Sequence, residues 1–465
     1  MNIQEILIQS PAMGVAGGAL KWFDRCGKTL RRLRRVVAKF FTDIETNSED
    51  NDFFFKINNF PFFVRRRLNL LKKKVKLSHQ RALENLREAV KQRKIRVIFV
   101  VNEICKWHGW FLYDLFERSD NFEPLLLVSK RAEDEGACEY EEKLSFFKNS
   151  GLRVESVYNP LDDKYANLLD FHPDIMFQEQ PWQIKYVHSS AFMGQFILTC
   201  YTPYCFHMMV SPYDYLEMFH RFLWRYFVES PQHLESYKKR FNADNCVVGG
   251  GMHMDNYFSN KKPNESFWKC KSREKKRVIY APHHTIFTGH LVATFRRDGQ
   301  FILNLASMYP QTTWVLRPHP RFFFRVVDQK IMTRQELSDY ISEWEKYGTV
   351  LESGDFGDLF RSSDCLITDC ISFLADYFPT KNPVFHLRSD AQAVDFNDFG
   401  KSIIETYYQI HSNAELDRLF SRVVIDGDDF MKSKREERLK DLGLLEHGLA
   451  SERVFEHIKA ELGIQ

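Results

Sequence analysis

The sequence predicts an α/β protein. It has two halves, each a parallel sheet flanked by helices, which face a central cleft behind a basic helical extension. Three observations carry that prediction. From residue 95 onward, short apolar runs alternate with helical stretches of about 10–15 residues, the signature of parallel strands joined by crossover helices. The pattern breaks once, at a polar and basic stretch over 256–276 containing Pro263, and then restarts. The chain's 465 residues allow two or three domains by length, and no run of 18 apolar residues offers a spanning helix.

The first 94 residues hold 21 Lys/Arg against 9 Asp/Glu, a balance of +12, while the remainder stands at −9. The basic residues cluster at Arg31-Arg32-Leu33-Arg34-Arg35, Arg65-Arg66-Arg67 and Lys72-Lys73-Lys74-Val75-Lys76, interleaved with Phe40, Phe41, Phe60, Phe62, Phe63, Leu70 and Leu71. This composition suits a helix lying on an anionic membrane surface, where each basic residue is worth about 1 kcal/mol. A helical extension packed on the rest of the protein would look the same. Nucleic acid could use these charges, but nothing downstream supports it, and no nucleic-acid partner is expected. Nine scattered Cys without a C-x-x-C pair indicate reduced thiols in a cytoplasm. The expected location is therefore cytoplasmic, peripheral on the inner face of the cell membrane.

Residues 95–255 form the expected first domain. Strands are predicted over 95–101, 125–128, 154–157, 175–177, 196–200 and 246–248, with helices over 110–118 and 134–149. Gly249-Gly250-Gly251 closes this half as a tight crossover. Residues 277–465 form the second domain, with strands over 277–281, 313–317, 350–351, 365–368 and 383–387, helices between them, and a charged helical end after Asp428. Ligands in such sheets sit beyond the carboxyl ends of the strands.

Three clusters occupy those ends in the second half. Tyr280-Ala281-Pro282-His283-His284-Thr285 directly follows a strand. Adjacent histidines point different ways, so one faces the cleft, or the pair is an ordinary loop. Arg317-Pro318-His319-Pro320 sets a guanidinium and an imidazole in a stiffened loop, which suits a phosphate or is simply a proline-rich turn. In Thr368-Asp369-Cys370-Ile371-Ser372, a strand ends and a helix begins, so Thr368, Asp369 or Ser372 could cap the helix or help hold a phosphate. Together the three suggest a nucleotide diphosphate or a transferred phosphoryl group. In the first half, Tyr201-Thr202-Pro203-Tyr204 follows a strand and either faces the cleft or packs as an aromatic turn. No P-loop, G-x-G-x-x-G, H-E-x-x-H or EF-hand spacing occurs, and Asp426-Gly427-Asp428-Asp429 reads as a solvated acidic turn. No cofactor or metal is expected.

At the three clusters the chain resembles the CDP-glycerol glycerophosphotransferase family, which builds teichoic-acid-type and capsular polyol-phosphate polymers. That family's A-P-x, R-P-H-P and I-T-D-Y-S-S-x-x-x-D-Y elements correspond to Ala281-Pro282-His283-His284, Arg317-Pro318-His319-Pro320, and Ile367-Thr368-Asp369-Cys370-Ile371-Ser372 with Asp376-Tyr377. Gly448-Leu449-Ala450-Ser451-Glu452-Arg453 resembles its closing helix. The layout covers residues 95–460, and the specific motifs lie within 278–390.

The resemblance implies a GT-B fold, two Rossmann-like domains with the nucleotide in the second. It also implies transfer of glycerol phosphate or another polyol phosphate from a CDP-linked donor to a glycan or lipid-linked acceptor. Arg317, His319, Thr368, Asp369 and Ser372 would then hold the donor phosphates, and Tyr201, Tyr204 and His207 would lie on the acceptor side.

Two departures stand out. Ile371-Ser372 replaces the family's hydroxyl pair. The first-domain W-H-G-T-P motif, whose histidine is regarded as the base, is absent where the chain reads Tyr201-Thr202-Pro203-Tyr204; Trp107-His108-Gly109 follows the wrong strand. The expected base is therefore His283 or His284, with His319 beside it. The alternatives are a GT-B glycosyltransferase using a nucleotide sugar, or a non-catalytic membrane-associated relative.

Overall fold

A computed structural model of the protein describes residues 62–131, 136–180, 184–209, 220–240, 243–258, 262–270, 274–286, 293–352, 356–389, 396–442 and 449–464. The cluster at Arg31–Arg35 and Gly448 lie outside the described residues.

The first sheet contains β1 (Ile95–Val101), β2 (Phe122–Val128), β3 (Val154–Ser156), β6 (Ile175–Gln178), β7 (Leu198–Tyr201), β8 (Arg225–Val228) and β9 (Cys246–Val248), with a small antiparallel pair, β4 (Tyr158–Asn159) and β5 (Lys164–Tyr165), to one side. Its order is β3-β2-β1-β6-β7-β8-β9, and every pairing is parallel. The second sheet, also all parallel, runs β12 (Gly348–Val350), β11 (Thr312–Leu316), β10 (Lys276–Ala281), β13 (Cys365–Thr368), β14 (Val384–Leu387) and β15 (Tyr408–Ile410). Each sheet reverses its strand order once, between β1 and β6 and between β10 and β13. Crevices open at the carboxyl ends at such points.

Both faces of each sheet are covered, so the central strands are predominantly apolar. Successive side chains on a strand point to opposite faces. Ile95, Val97, Phe99 and Val101 accordingly enter one core, and Ile98 enters another with Leu168, Met176 and Met193. Likewise Val278 and Tyr280 face one side of the second sheet, and Ile279 and Ala281 the other. The strand β8 and the segment from Asp398 to Phe420, with two helices around β15, lie where the sequence analysis read no elements.

Three segments join the halves. Phe206, Met208 and Met254 of the first half share a core with Leu359, Phe360, Leu374, Phe378, Phe396 and Phe399 of the second. The 256–276 stretch is pinned to the second half by Trp268, which is buried and donates its indole N–H to Ser362 Oγ at 2.9 Å. The last helix, Ala450–Leu462, crosses back: Val454, Phe455, Ile458 and Leu462 enter the first core beside Phe116 and Phe122. Asp255 caps that helix, accepting from Ala450 N at 2.7 Å and Ser451 N at 2.9 Å.

The helix Phe62–Ala89 is seated on the first half rather than detached from it. Val75, His79 and Leu86 are buried, Ser78 donates to Gln195 O at 2.7 Å, and Lys76 pairs with Asp244 at 2.6 Å. Its outer face exposes Leu70, Lys73 and Leu77, and Lys74, also exposed, donates to Gln195 Oε1 at 2.9 Å. Among the described residues, no helix is long and apolar enough to cross a membrane.

Candidate functional site

The second sheet's switch point places Pro282-His283-His284 after β10 beside Asp369 after β13, and β11 delivers Arg317-Pro318-His319 next to them. The three imidazoles meet. Ring centroids lie 4.4 Å apart for His283–His284, 5.2 Å for His283–His319 and 3.9 Å for the stacked His284–His319 pair.

Hydrogen bonds decide what these rings present. His319 Nδ1 accepts the Arg321 backbone N–H at 3.1 Å, and His283 Nδ1 accepts that of Thr285 at 3.4 Å with the Thr285 hydroxyl at 2.9 Å. A neutral imidazole whose Nδ1 accepts must carry its proton on Nε2. Burial and mutual repulsion keep them neutral: His283 is pushed down to about 3, His284 to about 4 with help from Arg321, Arg325 and Lys106, and His319 well below the usual range. The imidazole nitrogens lie within 4.8 Å of one another, a spacing a metal could use. With the hydrogen bonds as they stand, His283 and His319 turn an N–H, not a lone pair, outward from Nε2. In this state the cluster can donate hydrogen bonds to an anion.

Asp369 braces this arrangement. Fully buried, it accepts from His283 N at 2.6 Å, from Thr294 N at 2.7 Å and from Thr294 Oγ1 at 3.2 Å. Burial pushes its carboxyl up to about 7, against these donors. It ties the His283 loop to the start of the helix Phe295–Met308. The expectation that Thr368 meets phosphate gives way to a different role: its hydroxyl donates to Ala281 O at 2.6 Å and accepts from Cys370 N at 2.9 Å, joining the ends of two adjacent strands. Ser372, half-buried, lies in the first turn of a helix of 6 residues, Ile371–Asp376, its Oγ 3.5 Å from Cys370 Sγ. Arg317 is buried and donates to Leu351 O at 3.1 Å.

Across the cleft, the loop after β1 brings Lys106, whose charge acts on His284 and His319. Its ammonium pairs with Glu103 at 3.0 Å and lies 5.2 Å from the Tyr204 ring, so Tyr204 stands on the cleft wall. Tyr201 packs instead into a core with Tyr226 and Tyr237, its ring tilted against Tyr226 at 5.0 Å; a buried aromatic, it does not line the cleft. His108 is held by Glu179, which accepts its backbone N–H at 2.6 Å. Its ring lies 6.1 Å from Phe356 of the second half.

His207 has the opposite protonation pattern to His283 and His319. Both its backbone N–H and its Nδ1 bond Glu229 Oε1, a carboxylate that His233 and His207 hold down at about 2 despite full burial. With Nδ1–H donated to a carboxylate, the lone pair is on Nε2. The His207 carbonyl receives His233 Nε2–H at 2.8 Å and, from the second half, Asn397 Nδ2–H at 2.7 Å. Glu229, Lys106 and Asn397 were not singled out from sequence. Glu229 follows β8, and the apolar run Leu223-Trp224-Arg225-Tyr226-Phe227-Val228 was the signal that could have located it.

The chain matches no family model and no curated protein. Solved structures do match. S. aureus MnaA in complex with UDP is 14% identical, with a TM-score of 0.54 over 80% of this chain and 98% of that one. A variant of the wall teichoic acid polymerase TagF is 13% identical, with a TM-score of 0.54 over 87% and 99%. The Neisseria meningitidis UDP-GlcNAc 2-epimerase bound to UDP-GlcNAc is 12% identical, with a TM-score of 0.51 over 79% and 100%. These likenesses are of fold: the chain is a two-domain, Rossmann-like GT-B protein.

Proposed function

We propose that this chain is a nucleotide-dependent transferase. In this reading it moves glycerol phosphate, or another polyol phosphate, from a CDP-linked donor to a hydroxyl of a glycan or lipid-linked acceptor. The observation that carries the reading is the cluster of His283, His284 and His319 at the carboxyl ends of β10 and β11, where the bonds at Nδ1 leave His283 and His319 presenting Nε2–H, with Lys106 and Arg321 close enough to act on the rings. Fixed neutral donors and nearby cations stabilise the charge that develops on phosphoryl oxygens. The TagF likeness adds a precedent for the polymer chemistry on this fold.

In this reading the acceptor oxygen attacks the β-phosphorus of the donor. A new P–O bond forms, the bond to the bridging oxygen breaks, and CMP leaves with that electron pair. The acceptor proton goes to His207 Nε2, whose partner Glu229 stabilises the imidazolium. The base role is thus assigned to His207 rather than to His283 or His284, because the bond of its Nδ1 to Glu229 leaves the lone pair on Nε2. General-base assistance of this kind is typically worth about 10²–10⁴ in rate.

Thermal unfolding with CDP-glycerol, CDP-ribitol, CMP, CDP, UDP and GDP tests the reading. A ligand at 100 times its dissociation constant adds about 2.7 kcal/mol. Stabilisation confined to cytidine nucleotides and lost in His319→Ala is expected. The UDP and UDP-GlcNAc complexes among the structural neighbours favour a second reading, a nucleotide-sugar enzyme, and stabilisation by UDP alone would select it.

A further inference from the structure

Behind Glu229 the structure contains a cavity of about 60 Å³, lined by Phe206, Glu229, Ser230, Gly250, Leu442 and Arg453 among others. It lies where the first half, the second half and the closing helix meet. Its polar groups are of both kinds. Glu229 gives Oε1 to His207, and its other oxygen, Oε2, is buried without a partner. Ser230 Oγ donates to His233 Nδ1 at 2.8 Å, because His233 Nε2 is already the donor to His207 O; a lone pair of Ser230 is left to accept. Arg453 donates from Nε to Gly249 O at 3.0 Å and brings its guanidinium against Gly250. Gly250 has φ +90°, and a Cβ there would run into that guanidinium, so both the turn and the close approach require glycine. Phe206, Val248, Met254, Pro379 and Leu442 supply an apolar wall.

We infer that this cavity binds the hydroxyl end of the acceptor, a neutral vicinal diol such as terminates a polyol or sugar. The two hydroxyls of a diol can donate one to Glu229 and one to Ser230 while accepting from Arg453. An ammonium ligand would face Arg453, and an anionic one the Glu229 carboxylate, ionised above about 2. The apolar wall suits the C–H faces of the polyol, and a cavity of this size holds several water-sized groups. The inference rests on the transferase reading and names its acceptor subsite.

The test uses the full chain with CDP bound and two sets of probes: tri(glycerol phosphate) and tri(ribitol phosphate), each with a free terminal diol or with that diol O-methylated. Calorimetry should show at least one free-diol probe binding tenfold or more tightly than its capped form. That preference should vanish in Arg453→Gln and in Val248→Phe, which fills the cavity from β9, while CDP affinity stays within twofold. Two variants on different elements guard against a folding defect in either. Equal binding of free and capped probes, no binding of any probe, or a preference that survives both variants overturns the inference. Failure to bind CDP at all would instead strike the transferase reading.

Discussion

Which nitrogen of a histidine carries the proton is set by what its other nitrogen touches. That rule separates residues that look alike in sequence. His283 and His319 accept at Nδ1 and present N–H; His207 donates at Nδ1 and presents a lone pair. The roles therefore separate on substitution. His207→Gln should lower turnover about 10²–10⁴-fold while cytidine nucleotide affinity holds. His319→Ala should lose the nucleotide itself. Equal nucleotide loss in both would dissolve the division. Asp369→Ala should strand the His283 and Thr294 amides at about 1–3 kcal/mol each; a melting midpoint unchanged from wild type would refute its bracing role.

The buried histidines also set the acid response. His79, His108, His283 and His386 are held at about 3, and His188, His220 and His284 at about 4, all below the 6.5 of an exposed ring. The unfolded chain binds these protons first. Their contribution is therefore fully present above pH 6.5 and is lost as pH falls toward 4. Asp369, raised to about 7, and Glu179 and Asp255, also raised by burial, oppose this over the same window, but the lowered histidines outnumber them. The melting midpoint should drop steadily from pH 6.5 to 4, and calorimetry should detect net proton uptake on unfolding at pH 5.5. A flat profile there would contradict the assignment.

At the scale of elements, the strands were legible from sequence because buried parallel strands are continuous apolar runs, and 95–101, 246–248 and 365–368 coincide with β1, β9 and β13. The strand β8 escaped because Arg225 interrupts its run, and only the fold reveals that Arg225 reaches the closing helix, pairing with Glu461 at 2.5 Å. That helix is the element whose place the sequence concealed most. Its apolar stripe was visible, but a stripe does not say which sheet it covers. Because Phe455 packs on Phe116 and Phe122 of the first half, Phe455→Ala should cost about 3–5 kcal/mol and lower the unfolding midpoint of the first half. Destabilisation confined to the second half would be inconsistent with this packing.

At the scale of the whole molecule, the basic excess belongs to the first 94 residues of the sequence. We propose that the outer face of the helix Phe62–Ala89, with Lys73 and Lys74 between Leu70 and Leu77, joins the basic residues before it in binding an anionic membrane surface. The Lys73→Glu/Lys74→Glu double variant should sediment with anionic vesicles at least tenfold less than wild type, given about 1 kcal/mol per basic residue, while remaining folded by circular dichroism. Unaltered sedimentation would remove the membrane from the proposal. Truncation should stop at residue 61, since Leu86 of this helix belongs to the first core.

Alternation of apolar runs and helical stretches determined the two parallel sheets. The placement of three motifs directly after strands determined that His283, His284, His319 and Asp369 lie together, because the carboxyl ends of parallel strands share one edge of the sheet. The tertiary structure alone decided how those residues divide their work. Thr368 turned to the backbone, Tyr201 to the core, and His207 to a Glu229 that lies 22 residues further along the chain. Hydrogen-bond partners across elements settle each of these, and local sequence carries no record of a partner that folding supplies.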